Sequence, residues 1–174
     1  YDNYNAAASL IELIDALSNW YVRRCRDRFW AGEMTRDKAD AYWTLYECLL
    51  TISKLIAPFT PFLAEEMWQN LAVAPHGEGA CESVHLCDYP TGEEERTDSR
   101  LSARMKLARE IVSLGRGARM QAKLKVRQPL AKVEVVLADS SDNEWLLTHD
   151  ALIRSELNVK KMELTTEGQE YIDY

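Results

Sequence analysis

The chain has 174 residues, a formal net charge of −7, and 47% hydrophobic and 28% charged residues. That is enough apolar material to bury a core in one domain, or in one domain with a small appendage, at the composition of an ordinary globular protein. It argues against a globally basic nucleic-acid binder and, with no apolar run of membrane-span length, against an integral membrane helix.

Nothing at the start resembles a signal peptide. Four cysteines without a regular framework point to a reducing, cytosolic setting with free thiols. No internal repeat and no low-complexity tract is present.

Residues 4–30 read as one long helix. Leu10, Ile14, Leu17 and Tyr21 mark an apolar stripe at 4, 3, 4 spacing, widened by Ile11 and Leu13. Gly32 is expected to stop it. The chain begins without Met and in the middle of helical sequence, so a segment of a longer protein is expected.

The end of that helix, Leu17 to Trp30, concentrates Arg23, Arg24, Arg26 and Arg28 among aromatic residues. Such a mixture can grip a phosphate backbone and stack on unpaired bases. On a helix Asn19 lies one turn before Arg23, Arg23 and Arg26 share a face, and so do Arg24 and Arg28. Asparagine offers donor and acceptor to a base edge, and arginine forks onto a base or phosphate. The same spacing also describes a solvated basic face with Trp20 and Tyr21 in the core.

Residues 36–57 read as the second helix, with Thr35 as N-cap and Asp37 in the first turn. Tyr42, Leu45, Leu49, Ile52 and Ile56 form its stripe, and Pro58 forbids continuation. Pro58-Phe59-Thr60-Pro61 is a corner, with Thr60 capping a third helix over about 61–72. Leu63, Met67 and Leu71 are the expected inner face of that helix.

Residues 73–98 read as a long connection in which Ser83-Val84-His85-Leu86 runs extended. His76, Cys81, His85 and Cys87 invite a zinc reading, but the spacing lacks the close Cys or His pair of common sites, so no metal ligand is assigned.

Residues 99–121 read as a fourth helix. Leu101, Met105, Ala108 and Val112 form its stripe, and Leu107, Ile111 and Leu114 widen it. Gly115 and Gly117 are expected to bend or end it. Residues 96–132 hold eleven Lys and Arg against Asp98 and Glu110, and no acidic residue lies between Ile111 and Val133. Arg116, Arg119, Lys123, Lys125, Arg127 and Lys132 therefore read as a positive strip on an acidic body, suited to a polyanion in one orientation, or else as charge paired within the molecule. Beyond the strip, 132–137 alternates as a strand, 143–157 reads as a helix with Leu146, Ile153 and Leu157 inward, and 159–164 reads as a second strand with Met162 and Leu164 inward. The acidic last residues are expected to fray. The fold class is thus mainly α, a helical bundle over 1–122 followed by a small α/β subdomain over 123–174.

No phosphate-cradling glycine loop, Ser-His-Asp arrangement or His-x-Gly-His signature occurs, so no catalytic residue is assigned. The segments Leu17-Ser18-Asn19-Trp20-Tyr21-Val22-Arg23-Arg24, Arg28-Phe29-Trp30, Ala57-Pro58-Phe59-Thr60-Pro61-Phe62, Ser83-Val84-His85-Leu86, Lys125-Val126-Arg127-Gln128-Pro129-Leu130 and Glu156-Leu157-Asn158-Val159-Lys160 together resemble the C-terminal tRNA-binding part of the isoleucyl-tRNA synthetases. The resemblance covers nearly the whole chain. The Ala-Pro-Phe-Thr-Pro-Phe segment alone is shared with valyl and leucyl enzymes of the same class.

The resemblance implies an anticodon-binding helical bundle that partners isoleucine tRNA and the catalytic domain of a cytoplasmic parent enzyme. ATP and valine editing would belong to that parent, with no cofactor in this piece. It implies Asn19 and Arg23 as base-edge or phosphate contacts, Arg24, Arg26 and Arg28 as support to the RNA backbone, and Trp30 as a stacking ring. Lys123, Lys125 and Arg127 would flank the stem or loop. No cysteine pair matches the zinc site of some relatives, so none is carried over. A module of a valyl or leucyl ligase, and a helical protein-interaction domain, are the alternatives.

Overall fold

The structure, a computed structural model, describes residues 2–92, 95 and 97–165. The chain divides into two compact units, Tyr1–Glu93 and Glu94–Tyr174. The long helix Ser99–Gln121, expected with the bundle, therefore groups with the two strands. The expected fraying of the last residues lies outside the described residues.

The first unit is helical. It comprises α1 (Asn3–Asp15), a π-helical stretch (Ala16–Val22), α2 (Arg26–Trp30), α3 (Arg36–Ile56), α4 (Pro61–Trp68) continuing through π-type turns over Gln69–Val73, and the short α5 (Ala74–His76). The single helix expected over 4–30 is thus widened in the middle and interrupted at Cys25, whose φ of −81° and ψ of 4° leave the helical region. The extra width of a π turn shifts the side chains that follow it, which a 3.6-residue period cannot anticipate. Gly32 is not the stop: Ala31 already leaves the helix at ψ 138°.

The core of this unit gathers Leu17, Ile52, Ile56, Ala57, Ala64, Trp68, Ala72 and Val84, with Leu10, Tyr21, Leu45 and Leu49 packed against it. Thr35 caps α3 as expected, its side chain accepting from the Lys38 N–H at 3.2 Å. On α4 the inner face is one residue on from the expected one. Ala64, Trp68 and Ala72 are buried, whereas Leu63 is exposed. The two alanines let the helix approach α3 closely, and the Trp68 indole N–H reaches the Cys81 carbonyl at 2.9 Å. Ile11, Leu13 and Ile14 of α1, expected inward, are exposed.

Of Ser83–Leu86 only Ser83 is extended. Val84–Leu86 forms a 3₁₀ turn fastened to α4 by Glu65, whose carboxylate accepts from the Ser83 hydroxyl at 2.7 Å and the Val84 N–H at 3.1 Å. These bonds and the Gln69 amide hold the Glu65 pKa below its ordinary value.

The second unit comprises α6 (Ser99–Gln121), β1 (Leu130–Val136), α7 (Asn143–Thr148), α8 (Asp150–Leu157) and β2 (Val159–Thr165). The strands pair in parallel, with Leu130 opposite Val159 and Val135 opposite Leu164. A parallel pair needs a crossover, which α7 and α8 supply. The expected 143–157 helix is broken at His149, whose ring stacks on Trp145 at 4.4 Å. Leu146, Ile153 and Leu157 are buried as expected. Helix α6 runs unbroken past both of its glycines, and Leu114, expected inward, is exposed.

Among the described residues no helix is long and apolar enough to cross a membrane.

Candidate nucleic-acid interface

The candidate residues of the first helical run fall into two groups. Asn19, Arg23, Arg26 and Trp30 are exposed and follow one another at 4, 3, 4 spacing along a run whose buried residues are Leu17 and Cys25, and they form an exposed row along it. Trp30 is 80% exposed, which leaves both the ring and its N–H open to a partner. The Asn19 amide donates to Asp15 at 2.5 Å, and the Arg23 Nε donates to the Asn19 main-chain carbonyl at 2.9 Å. Both side chains are thereby steadied along the helix.

Arg24 and Arg28 are placed differently. Arg24 lies over the Trp20 ring, 5.3 Å from its centroid, so Trp20 is half-buried beneath a cation rather than in the core. Tyr21 does pack on the core, and its hydroxyl donates to the Ala41 carbonyl at 3.1 Å. Arg28 is committed to fold geometry. It donates to the Asp37 carboxylate and to the Asp37 carbonyl, each at 2.8 Å, and to Cys25 Sγ at 3.4 Å. These bonds tie α2 to the start of α3, and the Asp37 carboxylate raises the Arg28 pKa further. The sequence reading, which grouped Arg28 with the RNA-facing arginines, could not see a partner on the next helix.

Beside α2 lies a feature outside the sequence-based expectations. An open groove of about 470 Å³ is lined by Met34, Tyr42, Trp43, Tyr46, Pro75 and His76. Tyr42 joins it to α2, its ring 4.9 Å from that of Phe29. Tyr46 and the His76 ring nitrogen share a hydrogen bond at 2.9 Å. The available signal was Trp43, which stands one position off the apolar stripe of α3.

In the second unit the basic strip is thinner than the sequence implies. Arg104 pairs with Asp142 at 2.8 Å and lies over Trp145. Arg116 pairs with buried Glu156 at 2.5 Å. Lys132 bridges Glu134 and Glu163. Arg119 is 4% exposed and points at main-chain carbonyls. Lys123, Lys125 and Arg127 remain exposed. They occupy the turn between α6 and β1, and the positive charge on offer concentrates there.

Of His76, Cys81, His85 and Cys87, only the two thiols of Cys81 and Cys87 meet. His76 is bonded to Tyr46, Cys87 donates to the Ser83 carbonyl, and among the described residues no group of three or more His, Cys, Asp or Glu is gathered as metal ligands are.

Comparison with known proteins places this arrangement. The family model of the anticodon-binding domain of tRNA ligase matches residues 1–136. Among similar proteins are isoleucine–tRNA ligase of Dehalococcoides mccartyi, 45% identical over 97% of this chain, and that of Clostridium acetobutylicum, 46% identical over the whole chain. Isoleucine–tRNA ligase 2 of Bacillus cereus is 45% identical, again over the whole chain. The chain spans 16% of the length of each of these relatives. It belongs to the family of anticodon-binding domains of tRNA ligases.

Proposed function

We propose that the chain is the module of an isoleucine–tRNA ligase that holds the anticodon stem and loop of isoleucine tRNA, so that the distant acceptor end reaches a catalytic domain in the same cytoplasmic protein. Activation of isoleucine with ATP, and hydrolysis of mischarged valine, belong to the rest of such a ligase. A methylene-sized difference is too small to discriminate by binding alone, which is why editing is needed there. The names of the relatives favour isoleucine over valine or leucine.

The observation that carries the reading is the exposed row Asn19, Arg23, Arg26 and Trp30 in a chain of this family. It combines an amide, two guanidinium groups and an open indole, which are the groups that read and stack unpaired bases. Asp15 beside Asn19 repels a phosphate, so a base edge is the fitting ligand at Asn19, and phosphates fall to Arg23, Arg26 and the loop of Lys123, Lys125 and Arg127. Arg24 supports the row from above Trp20.

The test is binding of the chain to isoleucine tRNA and to the same tRNA with a swapped anticodon, at two salt concentrations. A preference for the native anticodon is expected, on top of a salt-dependent grip on the backbone. Equal binding to both would reduce the row to a backbone contact. An acidic protein that competes where tRNA does not would move the chain to a protein-interaction role.

A further inference from the structure

The turn between α6 and β1 is fastened from behind by two side chains. Arg119, buried near the end of α6, donates from Nη1 to the Lys125 carbonyl at 3.0 Å. Its Nη2 donates to the carbonyls of Gln128 at 2.9 Å, Leu157 at 2.7 Å and Asn158 at 3.2 Å. Asn158, which ends α8 in the left-handed conformation at φ 49°, donates from Nδ2 to the carbonyls of Val126 at 3.1 Å and Arg127 at 3.0 Å. Four consecutive carbonyls, those of Lys125, Val126, Arg127 and Gln128, are therefore bound on the inner side, while Lys125 and Arg127 keep their side chains exposed.

Burying a guanidinium is costly unless its hydrogen bonds are made. Here they are made partly to the end of α8 and partly to a surface loop whose carbonyls an ordinary turn would leave to water. The helix end adds to the pattern. The Leu124 N–H returns to the Arg119 carbonyl at 2.8 Å and the Lys123 N–H to the Met120 carbonyl at 3.0 Å, a Schellman-type closure that places Lys123 at φ 56°. Glycine is favoured at that position, yet the chain carries a lysine there. A loop with three cations, no acid, and its backbone immobilised in advance has already lost the conformational freedom that binding would otherwise remove.

We propose that Arg119 and Asn158 are positioning residues that hold the loop Lys123–Gln128 as a preformed cradle for an RNA phosphate backbone. The proposal rests on the tRNA-binding reading above.

Loss of Arg119 would untie the unit itself, so the discriminating variant is Asn158→Gly. Glycine keeps the left-handed backbone and removes only the two side-chain bonds. The experiment measures tRNA binding by the 174-residue chain at low salt as a double-mutant cycle against Lys123→Ala/Lys125→Ala/Arg127→Ala, with trypsin cleavage of the loop as a second readout. The expected result is that Asn158→Gly weakens binding about fivefold, leaves it unchanged in the loop-neutralised background, and speeds cleavage after Lys125 and Arg127. Equal losses in both backgrounds, or no loss in either, overturn the positioning role. If the loop-neutralised chain binds as tightly as the unmodified one, or the unmodified chain binds no tRNA, it is the reading of the loop as an RNA contact that falls.

Discussion

Gly115 lies directly against Leu157. A Cβ on the glycine would stand 2.6 Å from Leu157 Cδ1 and 2.8 Å from Cδ2, and Leu157 is among the most deeply buried side chains. The glycine that looked like a helix breaker is what lets α6 and α8 touch. Gly115→Ala gains about 1 kcal/mol of helix propensity but crowds the Leu157 side chain at about 1–3 kcal/mol. Net destabilisation is expected, seen as a lower urea midpoint. An unchanged or raised midpoint would mean that Leu157 moves aside freely.

The sequence carried the large-scale plan because local signals agreed with it. Thr35 caps α3 and Pro58 follows its end, and Leu146, Ile153 and Leu157 are buried at helical spacing. What it missed depended on distant partners or on small residues. Ala41, Ala64 and Ala72 are among the most deeply buried residues of the first unit, and a search for large apolar residues passes over them. Arg28 and Arg119 look like their solvent-facing neighbours until Asp37, nine residues on, and the carbonyl of Leu157, 38 residues on, are in place. Asn19 and Arg23, one turn apart, and Arg23 with Arg26 were legible as a polar surface and are exposed, whereas the place of Trp30 beyond the break at Cys25 could not follow from a helical period.

Lys123→Gly separates fold from binding. Relief of the left-handed backbone is expected to raise stability by about 0.5–1 kcal/mol, visible as a higher thermal midpoint. The same change removes a charge from the loop and is expected to lower tRNA affinity. Stability and affinity moving in the same direction would contradict the account of the position.

Glu65 gives the first unit a sensitivity to acid. Its carboxylate accepts from Ser83, Gln69 and the Val84 N–H, which together lower its pKa from the ordinary 4.5. The unfolded chain then binds the proton more readily than the folded one, so the contribution is complete above about pH 4.5 and disappears as pH falls through the lower folded value. Glu65→Gln is expected to lower stability at pH 7 and to flatten the slope of stability against pH below 4.5. An identical slope in both proteins would show that other carboxylates set the acid limb.

Arg23→Ala and Lys125→Ala test whether the two basic regions do different work. Arg23 is bonded to the Asn19 carbonyl, and if the two read one nucleotide as proposed, its loss is expected to weaken binding by about 1–3 kcal/mol on the native anticodon and less on a swapped one. Lys125 lies exposed in the loop, and on the proposed reading it holds the RNA backbone alone. Its loss is expected to weaken binding uniformly across tRNAs and to lower the slope of log affinity against log salt by about one unit. Affinity titrations over a range of salt with both tRNAs read the two quantities together. Equal losses on every tRNA for Arg23→Ala would sink its part in reading bases and leave the first helix as a second grip on phosphate.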